Sequence, residues 1–235
     1  MIKLKKDKKL KLFRYSGNKT NFPIIDLSGI ERIVEPFAGS MGFSLQYDLP
    51  ALGIDKSSEL INLLNWLKSV SNNDLEKLRK YEGSKVNIKT IPDLSNEEKT
   101  YLRINIASAV VGQLSSWIIY PQHKLPIEST QLAIEKIRNW KFKNDDYTNY
   151  VSKKGDFLFI DPPYLGTSGN YNENSLNMKD FLKWEESLTI PHIITYSEPI
   201  KEIDSDWYCW LTKKVPNIRQ GGSKVRKDYY TYIIP

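Results

Sequence analysis

Short apolar runs separated by glycine, proline and polar residues fill the first third of the chain. The run Glu31 to Glu35 predicts a strand, and residues 36–42 form a glycine-containing loop that leads into a helix predicted from Phe43. A second strand is predicted at Ala51 to Ile54. Apolar residues then recur at helical spacing behind a capping serine, Ser57 or Ser58: Leu60, Ile61, Leu64 and Leu67. This β-α-β-α series is typical of a doubly wound parallel sheet.

The alternation stops near residue 68. From Lys68 to Tyr150 the chain is polar, with one apolar helical stretch from Tyr101 to Ile119 and no clear strand. We interpret residues 68–150 as an inserted helical lobe. Residues 1–67 and 151–235 would then form the main domain.

The sheet pattern returns with Asp156 to Ile160, a continuous apolar run of the kind that parallel sheets bury on both faces. A helix is predicted at Met178 to Leu188 and a strand at His192 to Tyr196. Two last strands are predicted, at Trp207 to Lys213 and at Tyr229 to Ile234. The segment between them, residues 215–228, reads as a basic, glycine-rich loop.

Composition narrows the possible classes. With 40% hydrophobic and 12% aromatic residues, the 235-residue chain can build one sizeable core, which excludes low-complexity and disordered proteins. The single cysteine excludes an internal disulfide framework or a multi-cysteine zinc site, and only two histidines are present. We therefore expect no metal.

Localisation follows from the same pattern. No apolar run reaches the ~18 residues of a membrane helix, and the lysine-rich N-terminus lacks the apolar stretch of a signal peptide. We expect a soluble protein of the cytoplasm, bacterial or, if virus-encoded, that of the host. The net charge of +6 and pI near 9.1 fit a polyanionic partner, although a solubilising basic tail would give the same charge.

Acidic residues follow three of the predicted strands: Glu35, Asp55 and Asp161. In an open parallel sheet the ligand crevice lies outside the carboxyl ends of the strands. A carboxylate there can accept hydrogen bonds from ribose hydroxyls or from an amine, although any single one could be a helix cap. Glycines at 39 and 42 would let the backbone approach a nucleoside.

The sharpest motif is Asp161-Pro162-Pro163-Tyr164, directly after the apolar strand. The two prolines fix φ and remove two donors, so a carboxylate and a proline carbonyl can both accept from an exocyclic NH2 group. The tyrosine offers a flat face for stacking. The motif predicts a site for a planar aromatic amine.

In these blocks the chain resembles the D12-class, Dam-like DNA adenine-N6 methyltransferases. The likeness covers residues 13–19 (FRYSGNK), 34–43 (VEPFAGSMGF), 53–67, 155–167 (which contains DPPY) and 215–234. The resemblance implies an α/β fold with the Rossmann-like sheet of class I S-adenosylmethionine-dependent methyltransferases and a small helical target-recognition lobe. Asn18 stands where that family often has a second glycine.

Residue roles follow from the resemblance. It implies S-adenosylmethionine as cofactor, with these binding residues: Tyr15, Gly17, Lys19, Glu35, Phe37, Ala38, Gly39, Ile54, Asp55 and Asp161. The implied catalytic residues are Asp161, Pro162, Pro163 and Tyr164. Hydrogen bonds from adenine N6 to Asp161 and the Pro162 carbonyl would make this delocalised nitrogen more nucleophilic.

The same resemblance implies double-stranded DNA as substrate, with the target base flipped out of the helix, and allows a cognate restriction enzyme as a further partner. No membrane partner is expected. Basic residues that would contact phosphates are Lys124, Arg138, Arg219, Lys224, Arg226 and Lys227.

Two other readings stay open at this point. The same turn suits methyl transfer to cytosine N4 or to an amine of RNA or protein, but a serine commonly replaces the aspartate in cytosine-N4 enzymes. A non-catalytic protein of this fold that binds S-adenosylmethionine or DNA would be marked by loss of Asp161 or Tyr164, and both are present.

Overall fold

A computed structural model of the protein describes residues 10–15, 17–107, 116–163, 176–216 and 223–235, without the side chains of 213–216 and 223–226. The described residues form a sheet of seven strands: β1 (Arg32–Glu35), β2 (Ala51–Asp55), β3 (Lys141–Asn144), β4 (Asp156–Ile160), β5 (His192–Tyr196), β6 (Tyr208–Pro216) and β7 (Ser223–Ile233). Their order across the sheet is β3-β2-β1-β4-β5-β7-β6.

Five of these strands are parallel. β1 pairs with both β2 and β4, β3 flanks β2, and β5 flanks β4, whereas β7 runs antiparallel to β5 and β6 antiparallel to β7. The order reverses direction between β1 and β4, which is the switch point of a doubly wound sheet. The predicted Rossmann-like α/β fold is confirmed.

Strand β4 shows why the predicted apolar run is continuous. All five of its residues are buried, and successive side chains point to opposite faces of the sheet. Phe157 and Phe159 belong to the core on one face, whereas Leu158 and Ile160 belong to the core on the other. A strand in the middle of a covered sheet has no solvent-facing side, so its sequence does not alternate.

The helices cover both faces. They are α1 (Ser58–Ser69), α2 (Asn72–Lys77), α3 (Asn96–Leu102), α4 (Ile127–Ile137) and α5 (Met178–Glu185). Helix α1 begins as predicted, because the Ser57 hydroxyl accepts from Leu60 N at 3.2 Å. Helix α3 opens with a capping box between Ser95 and Glu98 and continues as a π-helical segment, Arg103–Ala107.

Two predicted helical segments are shorter than expected. The helix predicted from Phe43 is only a 3-10 turn, Ser44–Gln46, because Pro50 and the start of β2 follow within a few residues. The stretch predicted to be helical from Tyr101 to Ile119 is helical to Ala107, and residues 108–115 lie outside the described part. Ile118 instead forms a β-bridge with Asn87.

Strand β3 corrects the prediction that residues 68–150 contain no strand. It extends the sheet by pairing in parallel with β2, from Leu52↔Lys141 to Asp55↔Asn144. Its sequence, KFKN, lacks the apolar pattern of a strand because it lies at an exposed edge. The division into lobe and main domain stays a prediction, but one strand of the sheet, β3, comes from residues 68–150.

The basic segment before the last strand also differs from its prediction. β7 begins at Ser223 rather than at Tyr229, because antiparallel pairing with β6 continues through Lys213↔Arg226 to Pro216↔Ser223. Residues 224, 226 and 227 therefore lie on a strand and not in a loop. Residues 217–222 lie outside the described residues.

Phe159 gives a test of this packing. Its ring is fully buried, stacks on Phe43 at 4.0 Å between centroids and meets Phe22 edge-on at 5.0 Å. Phe159→Ala should lower the free energy of unfolding by ~3–5 kcal/mol, because lost contacts and a cavity add together. Chemical denaturation measures this. Val151→Ala, at a residue 73% exposed, is the matched control and should change stability by less than ~0.5 kcal/mol.

Candidate functional site

The three predicted acids lie at one edge of the sheet. Asp55 ends β2, Glu35 ends β1 and Asp161 directly follows β4, and these three strands are neighbours in the order β2-β1-β4. Because the strands are parallel, their carboxyl ends lie side by side, as the sequence analysis expected.

Both carboxylate oxygens of Asp161 accept hydrogen bonds from buried side chains. Lys19 Nζ donates to Oδ2 at 2.5 Å and also to the Gly17 carbonyl at 2.9 Å. Thr195 Oγ1, on the neighbouring strand β5, donates to Oδ1 at 2.6 Å. Thr195 was not predicted from the sequence, although a single hydroxyl near the carboxyl end of an otherwise apolar strand indicates a buried polar contact.

The rest of the catalytic motif is described in part. Pro162 is buried and Pro163 is half-buried, so the turn after β4 leaves the sheet along a fixed path. Tyr164 lies outside the described residues, and its predicted stacking role stays a prediction.

Glu35 is the most strongly perturbed acid of this site. Its side chain is buried, and Oε1 accepts from Ser44 N at 2.8 Å. Burial raises the pKa of the Glu35 carboxyl to about 8, and the nearby Asp161 carboxylate also raises it, whereas the Ser44 contact and the Lys19 ammonium lower it. The carboxyl is therefore largely protonated at neutral pH, and a cation bound beside it would favour its ionised form.

The loop after β1 turns sharply over the end of β2. Gly39 has φ +46° and Met41 has φ +55°, while Ala38 N donates to the Ile54 carbonyl at 2.9 Å. These bonds hold the loop against β2, with Gly39 N 3.5 Å from Asp55 Oδ2. Burial raises the pKa of the Asp55 carboxyl.

Both predicted glycines of this loop make room for the chain's own N-terminal segment. A Cβ atom at Gly39 would lie 3.0 Å from the Tyr15 ring, and one at Gly42 would lie 2.3 Å from Asn18 Oδ1 and 2.9 Å from Lys19 N. The structure thus brings Tyr15, Gly17 and Lys19 to the predicted cofactor loop. Gly17, in this segment, has the left-handed backbone angle φ +83°.

The far side of the loop carries an aromatic contact. The Phe37 ring packs on Tyr147 at 4.8 Å between centroids, and Ile54 is buried in the same core. Tyr147 follows β3, whose end is fixed by Asn144 Nδ2 donating to the Asp55 carbonyl at 2.9 Å. The contact between Phe37 and Tyr147 was not predicted from the sequence, because β3 was not predicted.

The residues present fit S-adenosylmethionine. Glu35 supplies a buried acid for a cationic ligand, Lys19 a cation for a carboxylate, and Asp55 an acceptor for ribose hydroxyls. Among the described side chains, Ser40 Oγ and Asn18 Nδ2 are buried in this loop region without a hydrogen-bond partner. These two groups could form hydrogen bonds with a bound ligand.

Two of the predicted phosphate contacts form ion pairs with neighbouring acids. Lys124 pairs with Glu82 at 3.4 Å, and Arg138 with Glu135 at 2.9 Å, both at the surface. Lys227 is exposed on β7. The side chains of Lys224 and Arg226 and the whole of Arg219 lie outside the description. These residues stay predictions.

The described residues offer neither a cluster of metal ligands nor a membrane-spanning helix. No cluster of three or more His, Cys, Asp or Glu side chains is placed to hold a metal ion within the described ranges. In the same ranges, no helix is both long enough and apolar enough to cross a membrane.

Comparison with known proteins gives one family match. Residues 116–198 match the family described as D12 class N6 adenine-specific DNA methyltransferase, and this confirms the resemblance seen in the sequence. The matched segment includes β4, Asp161 and Thr195. Methyltransferase activity is the function that the match supports, and a methyltransferase family implies the use of S-adenosylmethionine.

Solved structures are similar only distantly. A Thermoplasma acidophilum protein has 10% identity and a TM-score of 0.39, covering 88% of this chain and 80% of that one. A candidate RNA methyltransferase from Pyrococcus horikoshii has 11% identity and a TM-score of 0.37, and the match covers 89% of this chain and 77% of that one. A candidate rRNA methylase from Clostridium thermocellum has 11% identity and a TM-score of 0.35, and the match covers 87% of this chain and 89% of that one. No curated protein matches the sequence significantly.

The raised pKa of Glu35 predicts a pH dependence of stability. Between the ordinary carboxyl pKa near 4.5 and about 8, the folded state binds more protons than the unfolded state. The free energy of unfolding should therefore fall as pH rises through this window, by at most ~1.4 kcal/mol per pH unit from this group. Glu35→Gln, which keeps an acceptor for Ser44 N, should remove this component.

Denaturation of the parent and of Glu35→Gln at several pH values from 5 to 9 measures the effect. The stability of the parent relative to the variant should decrease with pH up to about 8 and level off above it. A constant difference would mean that Glu35 is ionised in the folded protein throughout.

Proposed function

We propose that this protein is an S-adenosylmethionine-dependent DNA methyltransferase that methylates N6 of adenine. The observation that carries the proposal is the Asp161 carboxylate, which sits at the end of β4 with its oxygens held by Lys19 and Thr195 and is followed by two prolines. This turn lies within the segment that matches the D12 class. A carboxylate fixed in this way is suited to accept a hydrogen bond from an amine.

The cofactor would lie across the carboxyl ends of β1 and β2. Asp55 would accept from the ribose hydroxyls, Phe37 and Ile54 would contact the adenine ring, and Gly39 would allow close approach of the loop. Lys19 is a cation for the carboxylate of the amino acid portion, and Glu35 would carry the opposite charge once the cationic group of the ligand favours its ionised form. Bound S-adenosylmethionine would supply an activated methyl group.

The chain's own groups would prepare the target nitrogen. Each carboxylate oxygen has two lone-pair directions, so Asp161 can accept from the target amine while it keeps its bond to Thr195. The Pro162 carbonyl would accept the second amine hydrogen. Holding the nitrogen in line with the methyl group lowers the barrier chiefly by orientation.

Recognition of the substrate would rest on charge and on base flipping. An adenine inside duplex DNA cannot reach a carboxylate at the edge of a sheet, so the base must leave the stack. The net charge of +6 favours association with the phosphate backbone. Among the predicted phosphate contacts, Lys227 has a described and exposed side chain on β7. Double-stranded DNA is therefore the proposed partner.

The first test measures the reaction itself. The parent protein, incubated with methyl-labelled S-adenosylmethionine and unmethylated duplex DNA, should produce N6-methyladenine on digestion and chromatography. Asp161→Ala should slow transfer by ~100-fold or more, because one positioned polar group in such a site has this effect. Asp93→Ala, at an exposed residue, is the control.

The product distinguishes the proposal from its rivals. Label in N4-methylcytosine, or label only when RNA or protein replaces DNA, would contradict adenine in DNA as the substrate. Near-parental turnover by Asp161→Ala would contradict the assignment of the turn.

The second test concerns the cofactor. Asp55→Ala removes a half-buried charged acceptor, so a ribose diol would lose ~1.5–3 kcal/mol of binding free energy, which is a ~10- to 150-fold weaker affinity. Calorimetry with S-adenosylmethionine measures this loss, and DNA affinity should stay within ~2-fold of the parent. Equal cofactor affinity in Asp55→Ala and Asp93→Ala would place the ribose contact elsewhere.

A further inference from the structure

Thr195 is a polar side chain in a strand that is otherwise buried and apolar near its carboxyl end. It follows Ile193 and Ile194, and its exposed fraction is 0%. Burying a hydroxyl is unfavourable unless it forms a hydrogen bond. Thr195 Oγ1 donates a hydrogen bond to Asp161 Oδ1 at 2.6 Å.

The register of the sheet makes this contact a fixed one. Ile160, the last residue of β4, pairs with Ile194 of β5; Asp161 directly follows β4, and Thr195 is the next residue of β5. Ile160 and Ile194 both belong to the core on one face, so the two following side chains point together to the opposite face. β5 is held on its other side by β7, where Thr195 pairs with Tyr230.

The two oxygens of Asp161 are held by elements of different kinds. Lys19, on Oδ2, has a long side chain that belongs to a loop segment. Thr195, on Oδ1, has a short β-branched side chain with a restricted χ1 angle and belongs to a central strand. The Thr195 hydroxyl therefore holds Oδ1 in place from the sheet, independently of the bond between Lys19 and Oδ2.

We propose that Thr195 is the positioning residue for Asp161. It orients the carboxylate so that a free lone pair faces the target amine. This inference rests on the proposed function, since it assumes that Asp161 accepts from that amine. Thr195 would act through Asp161 and touch neither cofactor nor base, so its loss should slow methyl transfer and leave cofactor affinity unchanged.

The test uses two matched pairs of variants. Thr195 and Thr195→Val differ by a hydroxyl in place of a methyl group, and Thr195→Ser and Thr195→Ala differ by the hydroxyl alone. The readouts are the single-turnover rate of methyl transfer to duplex DNA, the affinity for S-adenosylmethionine by calorimetry, and the melting temperature. Small errors of orientation reduce rates by up to ~100-fold.

We expect Thr195→Val to transfer ~10- to 100-fold more slowly than the parent, with cofactor affinity within ~2-fold. Thr195→Ser should recover most of the rate, and Thr195→Ala should not. If the valine variant does not fold, the serine and alanine pair makes the same comparison.

Three results would overturn the inference. The first is a parental rate of methyl transfer in both Thr195→Val and Thr195→Ala. The second is an equal rate in Thr195→Ser and Thr195→Ala. The third is a loss of cofactor affinity as large as the loss of rate, which would indicate a structural role only. An active parent with an unaffected valine variant contradicts this inference alone. A parent that transfers no methyl group to adenine in DNA contradicts the proposed function and this inference together.

Discussion

Parallel pairing of β2, β1, β4 and β5 is the constraint on which the candidate site depends. Neighbouring strands of the sheet have carboxyl ends that are far apart in sequence. The residues at these ends therefore lie side by side along one edge of the sheet: Asp55, Glu35, Asp161 and Thr195. The row is rigid because each inner strand is hydrogen-bonded on both sides. A one-residue change of register would turn these side chains to the opposite face, so the packing of β4 between two cores also fixes the chemistry at its end.

Burial gives this row its electrostatic character. The Asp161 carboxylate helps to raise the pKa of Glu35, whereas the ammonium group of the buried Lys19, which bonds to Asp161, lowers it. Removal from water raises the pKa of the Glu35 and Asp55 carboxyls. A ligand that carries positive charge would be favoured beside these carboxyls, because it would stabilise their ionised forms.

The N-terminal segment completes the site by packing on the loop after β1. Gly39 and Gly42 lack the side chains that would collide with Tyr15, Asn18 and Lys19. These contacts bring a lysine to Asp161, which follows it by 142 positions in the chain. The glycines were predicted for approach to a nucleoside, and they also allow two parts of the protein to approach each other.

The sequence alone determined the doubly wound sheet, the strand at residues 156–160 and the acids at the strand ends, because buried strands require apolar runs and polar residues follow them. It did not reveal β3, whose exposed edge position imposes no pattern, or the true start of β7, which depends on pairing with β6. Only the tertiary structure decided that Thr195 meets Asp161 and that burial raises the pKa of Glu35 to about 8. Both effects arise from neighbours distant in sequence, and no local pattern records such neighbours.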